Sequence, residues 1–330
     1  MAMKMQAEES RVDGIEHDVA EHSRVKICLV IAYFGRWPAW MDYYWASCAA
    51  NPQVHWQIFT DAGTPQNLPG NVFVRAMTLE ELDFRASGTI GYPINLRHPY
   101  KVCDLKPAYG EIFASELKDY QYWGYTDLDI IYGRLRVFLE LERFSASDVF
   151  TSAPRLVVGH FTIFRNTHHL QCLYRKTPNL QDILQHYECQ AFDEKAFADV
   201  LKREADSGGI LLKRSDIQLD DIVCIQQGRP RFVMLWFRGR LFDVLAFREL
   251  AYYHFIKTKY LAGFGIEKLG RNCPLIVADR TGIRGVSGSG MCVSLILTLI
   301  VSAAVTLPWY LRVLVKRMLP RSVMSLLKAR

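Results

Sequence analysis

Hydrophobic and polar positions along the chain alternate between short apolar runs and helical patterns. Val25 to Phe34 (VKICLVIAYF) is a continuous apolar run ending at Gly35, the pattern of a first strand buried on both faces of a parallel sheet. Trp37 to Ala50 reads as a helix with Pro38 near its start, where proline is tolerated. Val54 to Thr60 and Asn71 to Met77 read as further strands, and Thr78-Leu79-Glu80-Glu81 as a capping box opening a helix. Lys101 to Phe113 predicts another helix after a loop over 88–100. Its charges Lys101, Asp104 and Lys106 are expected on a solvated face.

Further along, the pattern predicts a helix near Leu135 to Glu142 and strands at Asp148 to Thr151 and Gly159 to Phe164. Helices follow at Asn179 to His186 and Asp193 to Asp206, the second capped by Asp193. A hairpin over Phe232 to Val244 turns at Arg238-Gly239, and Leu250 to Ile256 is a last apolar run with His254 inside it. Strands and helices in this alternation indicate an α/β fold with a mainly parallel sheet.

One stretch organises the chain. Gln121 to Arg134 (QYWGYTDLDIIYGR) runs from an aromatic strand into Asp127-Leu128-Asp129 and back into apolar residues. On a strand, positions two apart share a side, so both carboxylates are expected to face one cation. Paired hard oxygens suit Mn²⁺ or Mg²⁺. A bare pair of this kind is more often two solvated acids at a turn; the strongly apolar strand before it shifts the balance towards a site. Ligands in α/β sheets gather beyond the carboxyl ends of the strands. Tyr33-Phe34-Gly35, Thr60-Asp61 and Asp127-Asp129 all fall at such ends and are expected to border one crevice.

Composition sharpens the picture at the termini. Half of the 330 residues are hydrophobic, enough for a sizeable core. The net charge of +6 comes from the tail, where Arg312, Lys316, Arg317, Arg321, Lys328 and Arg330 follow a stretch without acids. The body is balanced, so charge gives no case for nucleic-acid binding. Eight cysteines stand singly without a zinc or C-x-x-C spacing, which points to reduced thiols in a cytoplasmic body. Residues 1–24 are polar and read as a floppy leader without a secretory signal. Residues 25–284 read as the catalytic unit and 285–290 (GVSGSG) as a linker.

Residues 291–311 carry no charge and are long enough for about 20 apolar positions to cross a bilayer. Together with the basic remainder they predict a hydrophobic helix that associates with a membrane at its cytoplasmic side; a helix packed on the body is the alternative. The positive-inside rule conflicts with a single span from a cytosolic body, so a shallow or re-entrant seat is expected.

With these parts in view, the chain resembles glycosyltransferases of the GT-A class. More narrowly, it is similar to an uncharacterised bacterial family of predicted polysaccharide-biosynthesis transferases. The resemblance covers about Lys26 to Lys259. It rests on an ordered set of strings: KICLVIAYFGRWPAW, WQIFTD, PYKVCDLKPAYGEIF, YWGYTDLDIIYG, GHFTIFRN, FDE and YYHF. It implies a Rossmann-like GT-A sheet, a nucleotide-sugar donor, and a glycan or lipid-linked acceptor.

The resemblance also implies roles. Asp127 and Asp129 would hold the cation, and His254 would complete its site, although a histidine in an apolar run is as often structural. Lys257 or Lys259 would contact phosphate. Ala32, Tyr33 and Phe34 would border the nucleotide. Asp61 would reach a base or ribose, or simply cap a turn. Lys106 and Asp104 would meet the donor phosphate or sugar. Gly159-His160-Phe161 would line the acceptor side, and in an inverting enzyme, with inversion or retention left open, Asp193 or Glu194 would take the acceptor hydroxyl proton. Two other readings remain open at this point. One is a nucleotidyl- or phosphotransferase, although no G-x-x-x-x-G-K-[ST] loop is present. The other is an inactive glycan-binding protein with the same fold.

Overall fold

The computed structural model describes residues 26–155, 157–221, 232–270, 273 and 275–286. The strands β1 (Ile27–Ala32), β2 (Val54–Thr60), β3 (Val72–Ala76) and β4 (Tyr122–Thr126) form its parallel half. The remaining strands to Asp220 are β5 (Ile130–Tyr132), β6 (Val149–Thr151), β7 (Phe161–Arg165), β8 (Leu212–Arg214) and β9 (Gln218–Asp220). A seven-stranded sheet has the order β3-β2-β1-β4-β7-β6-β8. Only β7 runs antiparallel to its neighbours β4 and β6, so the sheet is mixed and mainly parallel, within an α/β fold.

The unbroken apolar run of β1 is explained by burial on both faces. Cys28, Val30 and Ala32 pack into one core with Leu82, Ile90, Ile112 and Phe113. Ile27, Leu29 and Ile31 pack into the other with Tyr44, Trp45, Trp56 and Tyr132. Helix α1 (Met41–Ala49) covers the second face and α2 (Leu79–Ile90) the first. The capping box of α2 forms as the sequence indicates, with Thr78 Oγ1 accepting from Glu81 N and Glu81 returning a carboxylate oxygen to Thr78 N. Gly124, in the middle of β4, is a packing requirement. A Cβ there would lie 2.4 Å from the Thr162 carbonyl oxygen of β7.

Four expectations need correction. The helix after Pro38 starts only at Met41, with Pro38 in the preceding turn (Met41 N donates to Pro38 O, 3.3 Å). The stretch Pro99–Ala108 is 3₁₀ rather than α, and Lys101, Asp104 and Lys106 are buried in it rather than solvated. The late helix α4 (Ala196–Asp206; α3 is Leu135–Leu141) starts after Asp193, and Lys195 takes the cap position with no side-chain cap bond. The linker is shortened, because Gly285 and Val286 belong to a strand. The leader, the rest of the linker and residues 291–330 lie outside the described residues. Among the described residues no helix is long and apolar enough to cross a membrane.

The chain after Phe232 builds more sheet than the hairpin expected there. Strands β10 (Val233–Phe237), β11 (Arg240–Asp243), β12 (Arg248–Leu250), β13 (Tyr252–His254), β14 (Gly265–Ile266), β15 (Leu275–Asp279) and β16 (Gly282–Val286) follow. A six-stranded sheet has the order β12-β11-β10-β15-β16-β14. Its β10–β11 turn uses Arg238 and Gly239 at φ of 48° and 82°. The Trp236 indole N–H donates to Tyr132 O (2.8 Å) and anchors this sheet to the body. Strand β13 leaves that sheet and inserts between β5 and β9.

Substituting Gly124→Ala is expected to lower stability by about 2–3 kcal/mol, because the methyl group must push β7 away from β4. Chemical denaturation of the two proteins checks it.

Candidate metal and substrate site

Strand β4 ends at Thr126 and β5 starts at Ile130, so Asp127-Leu128-Asp129 is the connection between two strands, not part of one. The period-two argument for their shared side therefore does not apply. The two carboxylates converge because Leu128 turns into the core between them, and its carbonyl accepts the Trp40 indole N–H at 2.8 Å. His254 arrives from the far end of the chain. Antiparallel pairing of β13 with β5 puts His254 opposite Ile130, and Phe255 N donates to Asp129 O (3.1 Å). One ligand atom from each of Asp127, Asp129 and His254 lies within 4.8 Å of the others. Two carboxylates and an imidazole are a donor set that fits Mn²⁺ or Mg²⁺.

These residues open onto a cavity of about 560 Å³. All the sequence-predicted site residues line it except Asp61 and Asp104: Ala32, Tyr33 and Phe34, Lys106, the triad, Asp193, Glu194, Lys257 and Lys259. Asp61 instead accepts from Gly35 N (2.7 Å), holding the turn after β1, where Gly35 has a φ of 110°. Asp104 is fully buried behind the wall. It accepts from Lys101 Nζ (2.8 Å), Gln190 N (2.8 Å) and Phe192 N (2.9 Å), and so fastens the loop that carries Asp193. Asp61 thus takes the turn-capping alternative given for it, and Asp104 lies behind the wall rather than in it.

Charge decides the state of the remaining groups. Burial pushes the Asp129 carboxyl up, but His254 and Lys259 outweigh it and hold it well below the usual carboxylate range. Lys259 Nζ lies 2.5 Å from Asp129 Oδ2, and His254 Nε2 lies 3.4 Å from Asp129 Oδ1. On the other side, Lys106 Nζ donates to Asp127 Oδ1 (2.6 Å) and Gly159 O (2.8 Å) and stands 3.8 Å from Asp193 Oδ2. Burial alone would push the Lys106 ammonium down; the neighbouring Asp127, with Cys103 and Asp193, keeps it well above its ordinary value. Backbone N–H groups of Lys257 and Thr258 donate to Asp221, fixing the turn that presents Lys259.

Asp193 is not the helix cap that its position suggested. Its carboxyl is pushed up to about 7, by burial first and then by Glu194 and Asp127, with Lys106 opposing. Gly159 makes room for it: a Cβ on Gly159 would stand 2.1 Å from Asp193 Oδ2. Glu194 in turn accepts from Gly159 N (2.9 Å).

His160, expected with Gly159 and Phe161 along the acceptor side, sits in the wall, together with aromatic residues that sequence reasoning left without a role. The His160 ring lies against that of His254, with centroids 4.1 Å apart and planes tilted by 30°, and burial, reinforced by His254 and Lys106, holds its pKa well below the ordinary value. Trp40, Tyr100 and Tyr260 add aromatic surface. The signal for these was weak, because nothing in a local pattern separates a wall aromatic from a core one.

Residues 29–268 match a family of unknown function, DUF6625. The chain belongs to this family. No curated protein matches the sequence. Among solved structures, the chain is similar to mouse xyloside xylosyltransferase 1 in its apo form, at 9% identity and a TM-score of 0.43, with 72% of this chain and 100% of that one covered. It is also similar to galactosyltransferase LgtC in complex with donor and acceptor sugar analogs, at 11% identity and a TM-score of 0.36, with 69% of this chain and 87% of that one covered.

The Asp193 assignment has a pH signature. Between about pH 4 and pH 7 the unfolded chain has released this proton while the folded one keeps it, so this group's stability contribution falls as pH rises through that window. Asp193→Asn removes the effect. The wild type is therefore expected to lose roughly 2–4 kcal/mol relative to the variant between those limits, read from denaturation midpoints at each pH.

Proposed function

We propose that this chain is a metal-dependent glycosyltransferase of the GT-A type, moving a sugar from a nucleotide-sugar donor to a glycan or lipid-linked acceptor. The observation that carries the proposal is the convergence of Asp127, Asp129 and His254 in a cavity that also holds lysines and a carboxyl raised to about 7. Each part answers one need of the reaction. When bound, Mn²⁺ or Mg²⁺ supplies Lewis-acid stabilisation of the departing diphosphate. Asp127, Asp129 and His254 are the residues that would hold it.

The chain's own groups do the rest. The ammonium groups of Lys257 and Lys259 supply positive charge for phosphate oxygens in a partly dry site, where such charge is most effective. Ala32, Tyr33 and Phe34, at the carboxyl end of β1, form a wall for the nucleoside part of the donor. As the bond from the sugar's anomeric carbon to the diphosphate breaks and the acceptor oxygen bonds to that carbon, the acceptor hydroxyl must give up a proton. Asp193 is the base we assign to it, since a carboxylate whose proton affinity matches neutral pH is the more effective acceptor. Glu194 and Gly159 N hold that loop in place.

The uncharged stretch 291–311 and the basic residues after it support a seat on the cytoplasmic side of a membrane, suited to a lipid-linked acceptor in surface polysaccharide assembly. Deleting residues 291–330 is expected to shift the protein from the membrane to the soluble fraction on centrifugation. Equal partitioning of both forms would refute that part.

A panel of nucleotide sugars with Mn²⁺ tests the reaction itself, with release of nucleoside diphosphate as the readout. Asp127→Ala and Asp129→Ala are expected to abolish both the turnover and the Mn²⁺-dependent thermal protection by nucleoside diphosphate. Unchanged protection in either variant would sink the metal assignment.

A further inference from the structure

The carboxylates assigned to the cation are already engaged, each by an ammonium group. Lys106 Nζ lies 2.6 Å from Asp127 Oδ1, and Lys259 Nζ lies 2.5 Å from Asp129 Oδ2. The two lysines come from unrelated parts of the chain, the 3₁₀ stretch Pro99–Ala108 and the short turn Thr258–Tyr260. Two acids and two lysines sum to no net charge. A divalent cation arriving alone would meet carboxylates whose charge is already compensated, and it would share a largely buried site with two positive groups that repel it. A diphosphate arriving with the cation changes that balance. Its negative oxygens supply new partners for the displaced ammonium groups, while the carboxylates turn to the cation.

The two lysines are not equally free to make that exchange. Lys106 is buried and tied to Asp127, to the Gly159 carbonyl and to the neighbourhood of Asp193. Lys259 has Asp129 as its acceptor and otherwise faces the aromatic rings of Tyr260 (4.9 Å) and Trp40 (5.9 Å). Its side chain is 15% exposed, against 8% for Lys106. Ring faces hold an ammonium group without fixing its direction, so the rings leave Lys259 able to turn towards the cavity once a cation replaces it at Asp129.

We propose that the Asp127–Lys106 and Asp129–Lys259 pairs act as a charge lock. The site takes the divalent cation and the nucleoside diphosphate together, not the cation alone, and Lys259 is the group that changes partner, from Asp129 to a phosphate oxygen. Lys259 is thereby a positioning residue for the cation and a binding residue for the diphosphate. This rests on the metal-dependent reading above.

The test is Mn²⁺ binding to the full-length chain, followed by the paramagnetic resonance signal of free Mn²⁺, with and without UDP, GDP, ADP or dTDP, each read against a protein-free sample that accounts for Mn²⁺ chelated by the nucleotide itself. At least one nucleoside diphosphate is expected to tighten Mn²⁺ by about ten- to a hundredfold, and Mn²⁺ to tighten that nucleotide by the same factor, as linkage requires. Lys259→Met is expected to strengthen Mn²⁺ binding in the absence of nucleotide by about tenfold and to shrink the coupling. Lys259→Arg, which keeps the charge and controls for folding, is expected to retain the wild-type pattern. Mn²⁺ binding equally tightly with and without every nucleotide would overturn the lock while leaving the metal-dependent reading standing. So would a Lys259→Met protein that folds but binds Mn²⁺ alone no better than the wild type. Absence of Mn²⁺ binding in every arm would remove that reading and the lock with it.

Discussion

Burying the Asp129 carboxylate at the end of the central sheet is the constraint on which the site depends. An isolated carboxylate out of water is too costly to keep ionised, so the fold must bring cations to it. It does so with His254 and Lys259, both from the last third of the described chain. Their delivery explains why β13 leaves the second sheet and inserts between β5 and β9. The six-stranded sheet, tied to Tyr132 through Trp236, is then the support that holds β13 in register.

A second buried charge builds the opposite wall. Asp104 gathers Lys101 and the backbone N–H groups of Gln190 and Phe192, and so fixes the segment leading to Asp193 and Glu194. Lys106, two residues along the same 3₁₀ stretch, reaches from that wall to Asp127. The two halves of the cavity are thus joined by an ion pair rather than by a shared strand, and Gly159 keeps the space between them open. A buried carboxylate with several donors and a buried lysine with several acceptors are stable because each is fully satisfied. The same residue types left solvated would have positioned nothing.

Much was legible from the chain alone. The run Ile27–Ala32 and the strand Val54–Thr60 are apolar because both faces of the sheet are covered, and that requirement is written in local composition. Capping at Thr78 and the turn at Arg238-Gly239 are local as well, fixed by hydrogen bonds and dihedral angles within a few residues. The Asp127-Asp129 pair stood out because an aromatic strand led into it. What the pattern missed is informative. Asp193 reads both as a helix cap and as a candidate base, because a cap and a buried carboxyl look alike in sequence. The spacing of Lys101, Asp104 and Lys106 suits a solvated surface helix, whereas the segment is a buried 3₁₀ stretch.

The residue sequence determined the first strands, their two-sided burial and the acid pair, since each of these depends on neighbours a few positions away. Tertiary structure alone decided that His254 would meet Asp129, that Lys106 and Lys259 would neutralise the two acids, and that burial would push the Asp193 carboxyl up to about 7. Those outcomes depend on desolvation and on distances between groups as many as 130 positions apart. No local pattern encodes a field that exists only once the chain has closed on itself.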